Sequence, residues 1–314
     1  MKFFTRNKSE DSSRRPQQRL TLNQFFDEQF FPHHQATTKQ HHHAFSIYNK
    51  HLRLRMGHYA LTDLKTAVLD VWVREQIVAG YQRSTINKHI HLMNRLLNLA
   101  RSWGLIDFDR DQQLIKRLRI GDHKQRFLSS EEIEALLREC QRSTHPYLYL
   151  FVKLLLLTGA RKGEALAVRW CDIDFDKRVW TVPRSKNGRS RRIVLNDDAV
   201  SVFLDAGKIA ERLGLAVGGS APVFQNPLTQ SPYQSFYAAF HKVRAAAGLD
   251  EVRIHDLRHT FASLLVNRGV SLYEVQTLLG HSSIQMTQRY AHLAPDLLHR
   301  RAQIVGSIVS GASI

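Results

Sequence analysis

Arginine, lysine, histidine and tyrosine recur together in five short segments of the chain. Two arginine forks can hold the non-bridging oxygens of a phosphate under attack, where negative charge builds up. A tyrosine phenol that loses its proton is a nucleophile, and a lysine can protonate the leaving oxygen. The set therefore predicts attack on a phosphodiester. The segments are residues 157–164 with Arg161, 185–189 with Lys186, 254–260 with His255 and Arg258, 278–281 with His281, and 287–292 with Tyr290.

A metal site is the competing interpretation of one of these segments. His255 and His259 have the H-x-x-x-H spacing that can bind zinc on a helix. The metalloprotease pattern needs glutamate where this chain has Asp256, and Arg258 would place a positive charge beside the metal. The histidine run at 41–43 lacks a fourth ligand at a suitable spacing. We therefore predict no metal and no cofactor.

Each candidate also has an ordinary structural explanation when it is considered alone. Arg161 could cap helix carbonyls, and His281 could simply begin a helix. Lys186 on an exposed turn could be solvated, and Tyr290 could be a core aromatic residue. Their joint occurrence in one order favours the chemical interpretation. His259, by contrast, is interpreted as structural, either packed or hydrogen-bonded.

The charge of the chain points to a polyanionic partner. Its 314 residues include 45 Lys and Arg against 28 Asp and Glu, a formal net charge of +17. Such an excess indicates nucleic acid most simply. Residues 1–124 have 21 basic and 11 acidic side chains, and residues 125–314 have 24 and 17. Because both parts are basic, a clamp around DNA explains the charge better than a single basic patch.

Several classes of protein are excluded by the same composition. The cysteines, Cys140 and Cys171, lie far apart, which excludes a disulfide scaffold and a cysteine-based zinc finger. The N-terminal residues lack the apolar core of a signal peptide. The most apolar stretch, residues 148–157, is too short to span a bilayer. We predict a cytoplasmic protein with no membrane partner.

Helices dominate the first third of the chain. Thr21 can cap a helix that has Phe26 and Phe30 on its apolar stripe, and helices follow at about 42–55 and 64–79. A fourth helix, opened by Ser84 or Thr85, carries a basic face made of Lys88, His89, His91, Arg95 and Arg101. Such a face is ordinarily solvated, but in a chain of this charge we expect it to meet DNA. The predicted DNA contacts are Lys88, Arg95, Arg101, Lys116 and Arg117.

The rest of the chain mixes helices with two short strands. Ser129 or Ser130 caps a helix, and a buried helix runs over about 146–157. Residues 179–182 and 191–195 flank an Asn-Gly turn, which is a strong hairpin signal. The remainder is predicted as helices interrupted by glycines. The predicted fold class is therefore mostly α (α+β), with a small antiparallel β-sheet.

Four motifs, TGARKGEAL, HDLRHTFAS, LLGH and QRYAH, occur in this order between residues 158 and 292. They resemble the motifs of the tyrosine site-specific recombinases, also called the phage integrase family. The resemblance covers residues 21–293 and implies a helical core-binding domain and a mixed, mainly helical catalytic domain that close on duplex DNA as a C-clamp. The expected parts are a basic flexible arm (1–19), the core-DNA-binding domain (20–109), a linker (110–126), the catalytic domain (127–294) and a C-terminal tail (295–314).

The resemblance also implies a role for each matching residue. Arg161 and Arg258 match the two catalytic arginines that contact the phosphate oxygens. His281 matches a donor to a phosphate oxygen, and Glu164 matches an acid that braces the site.

Three further residues match the groups that move protons and form the covalent bond. Tyr290 matches the nucleophile, which forms a 3′-phosphotyrosyl link. His255 matches the residue expected to accept the tyrosine proton. Lys186 matches the hairpin lysine, which protonates the 5′ hydroxyl.

The resemblance implies an enzyme that recombines double-stranded DNA sites through a Holliday junction, in a tetramer of protomers. Integration, excision, inversion and resolution are all compatible with it. An accessory DNA-bending factor and a nucleoid-associated location in a prokaryote, phage or mobile element are expected. The tail either docks on a neighbouring protomer or packs on its own domain. A type IB topoisomerase and a non-catalytic DNA-binding regulator are the alternatives.

Overall fold

A computed structural model describes residues 19–38, 41–106, 114–121, 126–183 and 190–293, with isolated positions between 303 and 309. The chain divides into two compact units, residues 1–123 and 124–314. Each unit has its own hydrophobic core. Their described residues are mostly helical, and a three-stranded antiparallel sheet lies in the second unit. The predicted fold class is confirmed, whereas the five predicted parts and their roles stay predictions.

The first unit is built from helices whose apolar faces meet in one core. The middle segments of its first two helices are π-helical. In chain order the elements are α1 (Leu22–Gln24, Phe25–Phe30, Phe31–Thr37), α2 (His41–Ile47, Tyr48–Leu52, Arg53–Met56), a 3-10 turn (Leu61–Asp63), α3 (Thr66–Val78) and α4 (Arg83–Ser102).

The start of α1 follows the sequence prediction. The Thr21 hydroxyl accepts a hydrogen bond from the Gln24 backbone N–H at 3.2 Å, and the Gln24 side chain accepts one from the Thr21 N–H at 3.0 Å. This reciprocal pair satisfies two donors that a helix start otherwise leaves open. Phe26 and Phe30 are fully buried, as their spacing predicts.

Helix α4 differs from the prediction in two ways. It begins at Arg83, because the first backbone bonds go to the carbonyl of Gln82 with no side-chain cap, so neither Ser84 nor Thr85 opens it. His89 is 1% exposed and its Nδ1 lies 2.5 Å from the side-chain oxygen of Gln76. Because residue 89 falls on the apolar stripe of the helix, placing His89 on the basic face was wrong.

The second unit surrounds one buried helix. Its helices are α5 (Ser130–Arg142), α6 (Leu148–Thr158), α7 (Lys162–Ala167), α8 (Asp197–Arg212), α9 (Tyr237–Ala246), α10 (Ile254–Asn267), α11 (Leu272–Leu279) and α12 (Gln285–Gln288), with 3-10 turns at Trp170–Asp172 and Ala291–Leu293. Ser129 caps α5 with a capping box that includes Glu132. Helices α5, α8 and α10 all pack against α6, so α6 fixes the chain that leaves its C-terminal end.

The sheet contains the two predicted strands and one more. Strand β1 is Ile173–Asp174, β2 is Val179–Val182 and β3 is Arg191–Val194, in the order β1-β2-β3. Trp180 pairs with Ile193, and both are buried. Strand β1 was not predicted, because two residues carry no readable alternation.

Residues 213–236 differ from the prediction of glycine-interrupted helices. This segment contains no helix. Its backbone instead forms hydrogen bonds with the chain just before β1. The Trp170 N–H donates to the Ala221 carbonyl at 3.1 Å, and the Val223 N–H donates to the Val168 carbonyl at 3.0 Å. Long-range pairing of this kind replaces the local helical bonds.

Candidate active site

Arg161 lies where α6 ends and α7 begins. Gly159 ends α6 in the left-handed conformation, at φ 58°, and Arg161 is the extended N-cap residue of α7. The Glu164 carboxylate accepts hydrogen bonds from the Arg161 backbone N–H at 2.9 Å and from its Nη1 at 2.7 Å. Nη2 donates to the Gly280 carbonyl at 3.2 Å. A local turn thus directs this guanidinium toward the end of α11.

Glu164 is a buried carboxylate held between two guanidinium groups. Its side chain is 8% exposed, and it forms ion pairs with Arg161 at 2.7 Å and with Arg191 at 2.8 Å. Burial acts to raise the pKa of Glu164, but the charges of Arg191 and Arg161 and their hydrogen bonds outweigh it and leave the pKa below its ordinary value. The carboxylate is therefore ionised and braces both arginines.

Arg258 lies on α10 and is 4% exposed. Its Nη1 donates to the Gly159 carbonyl at 2.6 Å, and its Nη2 donates to the Leu279 carbonyl at 2.7 Å. Burial, and then the positive charges of Arg161 and Arg191, lower the pKa of this guanidinium. The positive charges of Arg161, Arg191 and Arg258 lie close enough to repel one another, so a nearby anion would be favoured.

His281 follows the end of α11. Gly280 ends the helix at φ 62°, and the Nδ1 of His281 lies 2.8 Å from the Thr287 hydroxyl. Burial and the charges of Arg258 and Arg161 lower the pKa of His281 to about 3. The imidazole is therefore neutral near neutral pH.

Tyr290 lies in a small core formed by α10 and α11. It is 1% exposed, and its hydroxyl is 2.5 Å from the Nδ1 of His259. Burial raises the pKa of Tyr290, and the charges of Arg289 and Arg258 oppose this increase. Burial and then His255 lower the pKa of His259 to about 4, so the imidazole is neutral near neutral pH. In the tautomer protonated at Nε2, its Nδ1 accepts a hydrogen bond from the Tyr290 hydroxyl.

His255, which the family resemblance implies to be the proton acceptor, is an exposed residue one turn before His259. The two ring centroids are 4.8 Å apart, with the rings nearly perpendicular. The imidazole that bonds the Tyr290 hydroxyl is thus that of His259, which was interpreted only as structural. The spacing places both histidines on one helix face, but a single sequence does not say which one meets the tyrosine.

The structure brings together Arg161, Glu164, Arg258 and His281 at the end of α11. Lys186 lies outside the described residues. Arg191 was missed: its Nη1 donates to the Leu278 carbonyl at 3.3 Å and the Leu279 carbonyl at 2.5 Å. These partners lie 87 and 88 residues away along the chain, and no local pattern signals them.

In the first unit, three of the five predicted DNA contacts share one cavity of about 640 Å³. They are Lys88, Arg95 and Arg117, and the Nη2 of Arg117 lies 3.3 Å from the Nδ1 of His91. Arg101 and Lys116 are exposed but are not among the residues that line this cavity.

Within the described ranges, no group of three or more His, Cys, Asp or Glu side chains is placed to hold a metal ion. In the same ranges, every helix is too short or too polar to cross a membrane.

The fold and the arginine-rich site define a mostly helical protein with a cluster of guanidinium groups at the end of α11. The model of the phage integrase family matches residues 126–296, more than half of the chain. The chain therefore belongs to the phage integrase family, which confirms the resemblance.

Curated relatives extend this result. The chain is 31% identical to the integrase of Salmonella phage P22 over 226 residues, which are 70% of this chain and 57% of that protein. It is 33% identical to the tyrosine recombinase XerA of Saccharolobus solfataricus over 171 residues, 54% of this chain and 53% of the relative. The match thus spans little more than half the length of these two relatives.

Solved structures share the fold. An integrase of the transposon Tn1549, in complex with transposon right end DNA, has a TM-score of 0.72 at 21% identity, with 90% of this chain and 99% of that chain covered. A lambda integrase tetramer bound to a Holliday junction has a TM-score of 0.69 at 21% identity, with 87% and 78% covered.

Proposed function

We propose that this protein is a site-specific DNA recombinase that cuts and rejoins strands through a covalent tyrosine intermediate. The observation that carries the proposal is the cluster of Arg161, Arg258 and His281 at the end of α11, beside buried Glu164 and close to Tyr290. Family membership and the names of the relatives, integrases and tyrosine recombinases, support the same reaction.

The cluster supplies what a phosphate under attack requires. With Arg191 it has three guanidinium groups and one carboxylate, so an excess of positive charge remains for a phosphate. Arg161 and Arg258 bind the non-bridging oxygens as negative charge develops there. If the Thr287 hydroxyl donates to the Nδ1 of His281, the Nε2–H of this neutral imidazole is free to donate to the same phosphate.

The covalent step conserves the phosphodiester bond energy. The Tyr290 oxygen attacks phosphorus, the bond to the 5′ oxygen breaks, and a 3′-phosphotyrosyl link forms. Lys186 gives the proton that the 5′ oxygen takes up. The family resemblance assigns the tyrosine proton to His255, whereas the contact at 2.5 Å favours His259 as its first acceptor. Since Tyr290 is 1% exposed, its side chain must be uncovered before it reaches DNA.

The first unit binds the backbone of the duplex in this proposal. Lys88, Arg95 and Arg117 line one cavity, and we infer that they bind backbone phosphates there. Arg101 and Lys116 are exposed and are proposed as further contacts. Because residues 1–124 and 125–314 are both basic, both units contact DNA in this proposal, which is the C-clamp expected from the resemblance.

Exchange between two sites requires four protomers, each cutting one strand. The lambda integrase relative forms a tetramer on a Holliday junction, which supports this assembly. An accessory DNA-bending factor, a place in the nucleoid and docking of the tail on a neighbouring protomer complete the proposal.

Covalent trapping tests the reaction and finds the DNA site together. A pool of nicked suicide duplexes with randomised centres is incubated with the protein, and adducts that survive denaturing gels are sequenced. We expect a defined family of sequences with the wild-type chain. Tyr290→Phe should bind the recovered duplex but leave no adduct, because its side chain lacks the attacking oxygen.

The Tyr290→Phe variant differs from the wild-type chain by one hydroxyl. Its binding to the recovered duplex shows that a missing adduct is not a loss of DNA affinity. An adduct formed by Tyr290→Phe would reject Tyr290 as nucleophile. Supercoil relaxation without joining of two recovered sites would identify a type IB topoisomerase instead. Tight binding with no wild-type adduct would identify a DNA-binding regulator.

A further inference from the structure

Arg191 connects the β-hairpin to the end of α11. It is the first residue of β3, one residue after the described chain resumes at position 190. Its side chain is 10% exposed and forms the ion pair with Glu164 at 2.8 Å. Its Nη1 donates to the carbonyls of Leu278 and Leu279. One guanidinium therefore links β3, α7 and α11.

The fit between Arg191 and α11 is close. A Cβ added to Gly280 would lie 2.5 Å from the Arg191 Nη1 and 2.7 Å from its Cδ. Gly280 also has φ 62°, a conformation that favours glycine. The residue before His281 thus has to be a glycine both for its backbone and for the arginine beside it.

The interactions of Arg191 are better suited to holding geometry than to adding stability. Burial lowers the pKa of its guanidinium, and the charge of Glu164 only partly compensates. Its Nε is buried without a hydrogen-bond partner in the part of the chain that the structure describes. A buried ion pair with an unsatisfied donor is weak support for a fold.

We propose that Arg191 is a positioning residue for phosphate attack, which rests on the function proposed above. It fixes the Gly280–His281 turn and the Glu164–Arg161 pair in one arrangement, and it ties that arrangement to the start of β3.

The test compares four variants of the full chain on a duplex recovered by covalent trapping. Arg191→Met removes the charge and the fork, and Arg191→Lys keeps the charge but loses the fork. Arg192→Met and Arg192→Lys are the matched controls, since Arg192 is the exposed next residue on β3. The readouts are the single-turnover rate of adduct formation, DNA affinity, melting temperature and the His281 imidazole signal in an NMR pH titration.

We expect Arg191→Met to slow adduct formation by about 100-fold, the scale of a misplacement near 1 Å, with DNA affinity unchanged. Arg191→Lys should slow it by about 10-fold, because lysine has no planar fork. The Arg191 charge helps lower the pKa of His281, so this pKa should rise in Arg191→Met and stay low in Arg191→Lys. A slow lysine variant with an unaltered His281 separates geometry from charge.

The role of Arg191 would be overturned if Arg191→Lys formed the adduct at the wild-type rate. It would also be overturned if the Arg192 variants slowed adduct formation as much as the Arg191 variants. If Arg191→Met does not fold, Arg191→Lys and Gly280→Ala decide, since the new methyl of the latter displaces the same guanidinium and should also slow the reaction. A wild-type chain that forms no adduct overturns the proposed function itself, whereas a wild-type adduct with normal Arg191 variants overturns this inference alone.

Discussion

At the scale of residues, one carboxylate organises the candidate site. Glu164 pairs with Arg161 and Arg191, and its oxygens also receive the backbone N–H that begins α7. A buried carboxylate without such partners would take up a proton. Here the opposite holds, because the two guanidinium charges keep it ionised. Burial, and then the charges of Arg258 and Arg161, lower the pKa of His281 and keep it neutral, so the positive charges of the site are those of its arginines.

Buried neutral histidines predict how stability depends on pH. Burial lowers the pKa of His89 to about 4, against about 6.5 in an unfolded chain. Between these values the unfolded state binds more protons than the folded state, so the free energy of unfolding falls as the pH is lowered from about 6.5 to about 4. The slope from one such residue is at most about 1.4 kcal/mol per pH unit.

His89→Gln should therefore flatten the pH dependence of the first unit's melting temperature between pH 6.5 and 4. The melting temperature of the variant at pH 7 should fall, because the hydrogen bond between His89 and Gln76 is lost. His91→Gln, at an exposed position on the same helix, is the control and should leave the slope unchanged. Equal slopes in wild type and His89→Gln would show that His89 does not carry this effect.

At the scale of elements, the ends of α6 and α11 position the groups that we propose to bind phosphate. The carbonyls of Gly159, Leu279 and Gly280 receive hydrogen bonds from Arg258 and Arg161. Carbonyls at a helix C-terminus carry partial negative charge and favour cations. Both helices end at a left-handed glycine, which turns the chain sharply enough to bring these two ends together.

Gly159→Ala should destabilise the second unit more than Gly214→Ala. Both glycines have positive φ, at 58° and 67°, so each alanine adds strain of about 1–2 kcal/mol. At Gly159 the new Cβ would also lie 2.5 Å from Phe261 and 2.9 Å from Leu279, whereas nothing lies within 4 Å at Gly214. Overpacking of this kind costs about 1–3 kcal/mol more.

Urea unfolding of the two variants, followed by a probe in the second unit, measures this difference. The comparison isolates the clash, since the backbone strain is common to both. Equal free energies of unfolding would mean that the Phe261 ring moves away from the new methyl without loss of stability. Gly159 would then be required only for its backbone conformation.

Local patterns predicted the elements well and the contacts between them poorly. The Thr21 cap, the buried α6 and strands β2 and β3 follow from capping, hydrophobicity and alternation over a few residues. The site residues were predicted through four motifs and the family that they resemble. Arg191 and the His259–Tyr290 bond were missed, because they join segments that meet only when α6, α10 and α11 pack.

At the scale of the whole molecule, the charge of +17 serves two purposes in the proposed function. A few cations at the end of α11 act on one phosphate, and others, among them Lys88, Arg95 and Arg117, bind the DNA backbone without reading its sequence. Each phosphate that the protein neutralises releases counterions, so DNA affinity should fall steeply as the salt concentration rises. The slope of log affinity against log salt gives the number of phosphate contacts.

The cavity in the first unit makes this count testable residue by residue. Lys88→Ala, Arg95→Ala and Arg117→Ala should each reduce the slope of log affinity against log salt by about 0.9, equally on a recovered duplex and an unrelated one. Arg74→Ala, at an exposed position on α3 outside the cavity, is the matched control and should leave the slope unaltered. A loss confined to the recovered duplex would mean that these residues read bases, and an unchanged slope in all three would place the DNA elsewhere on the unit.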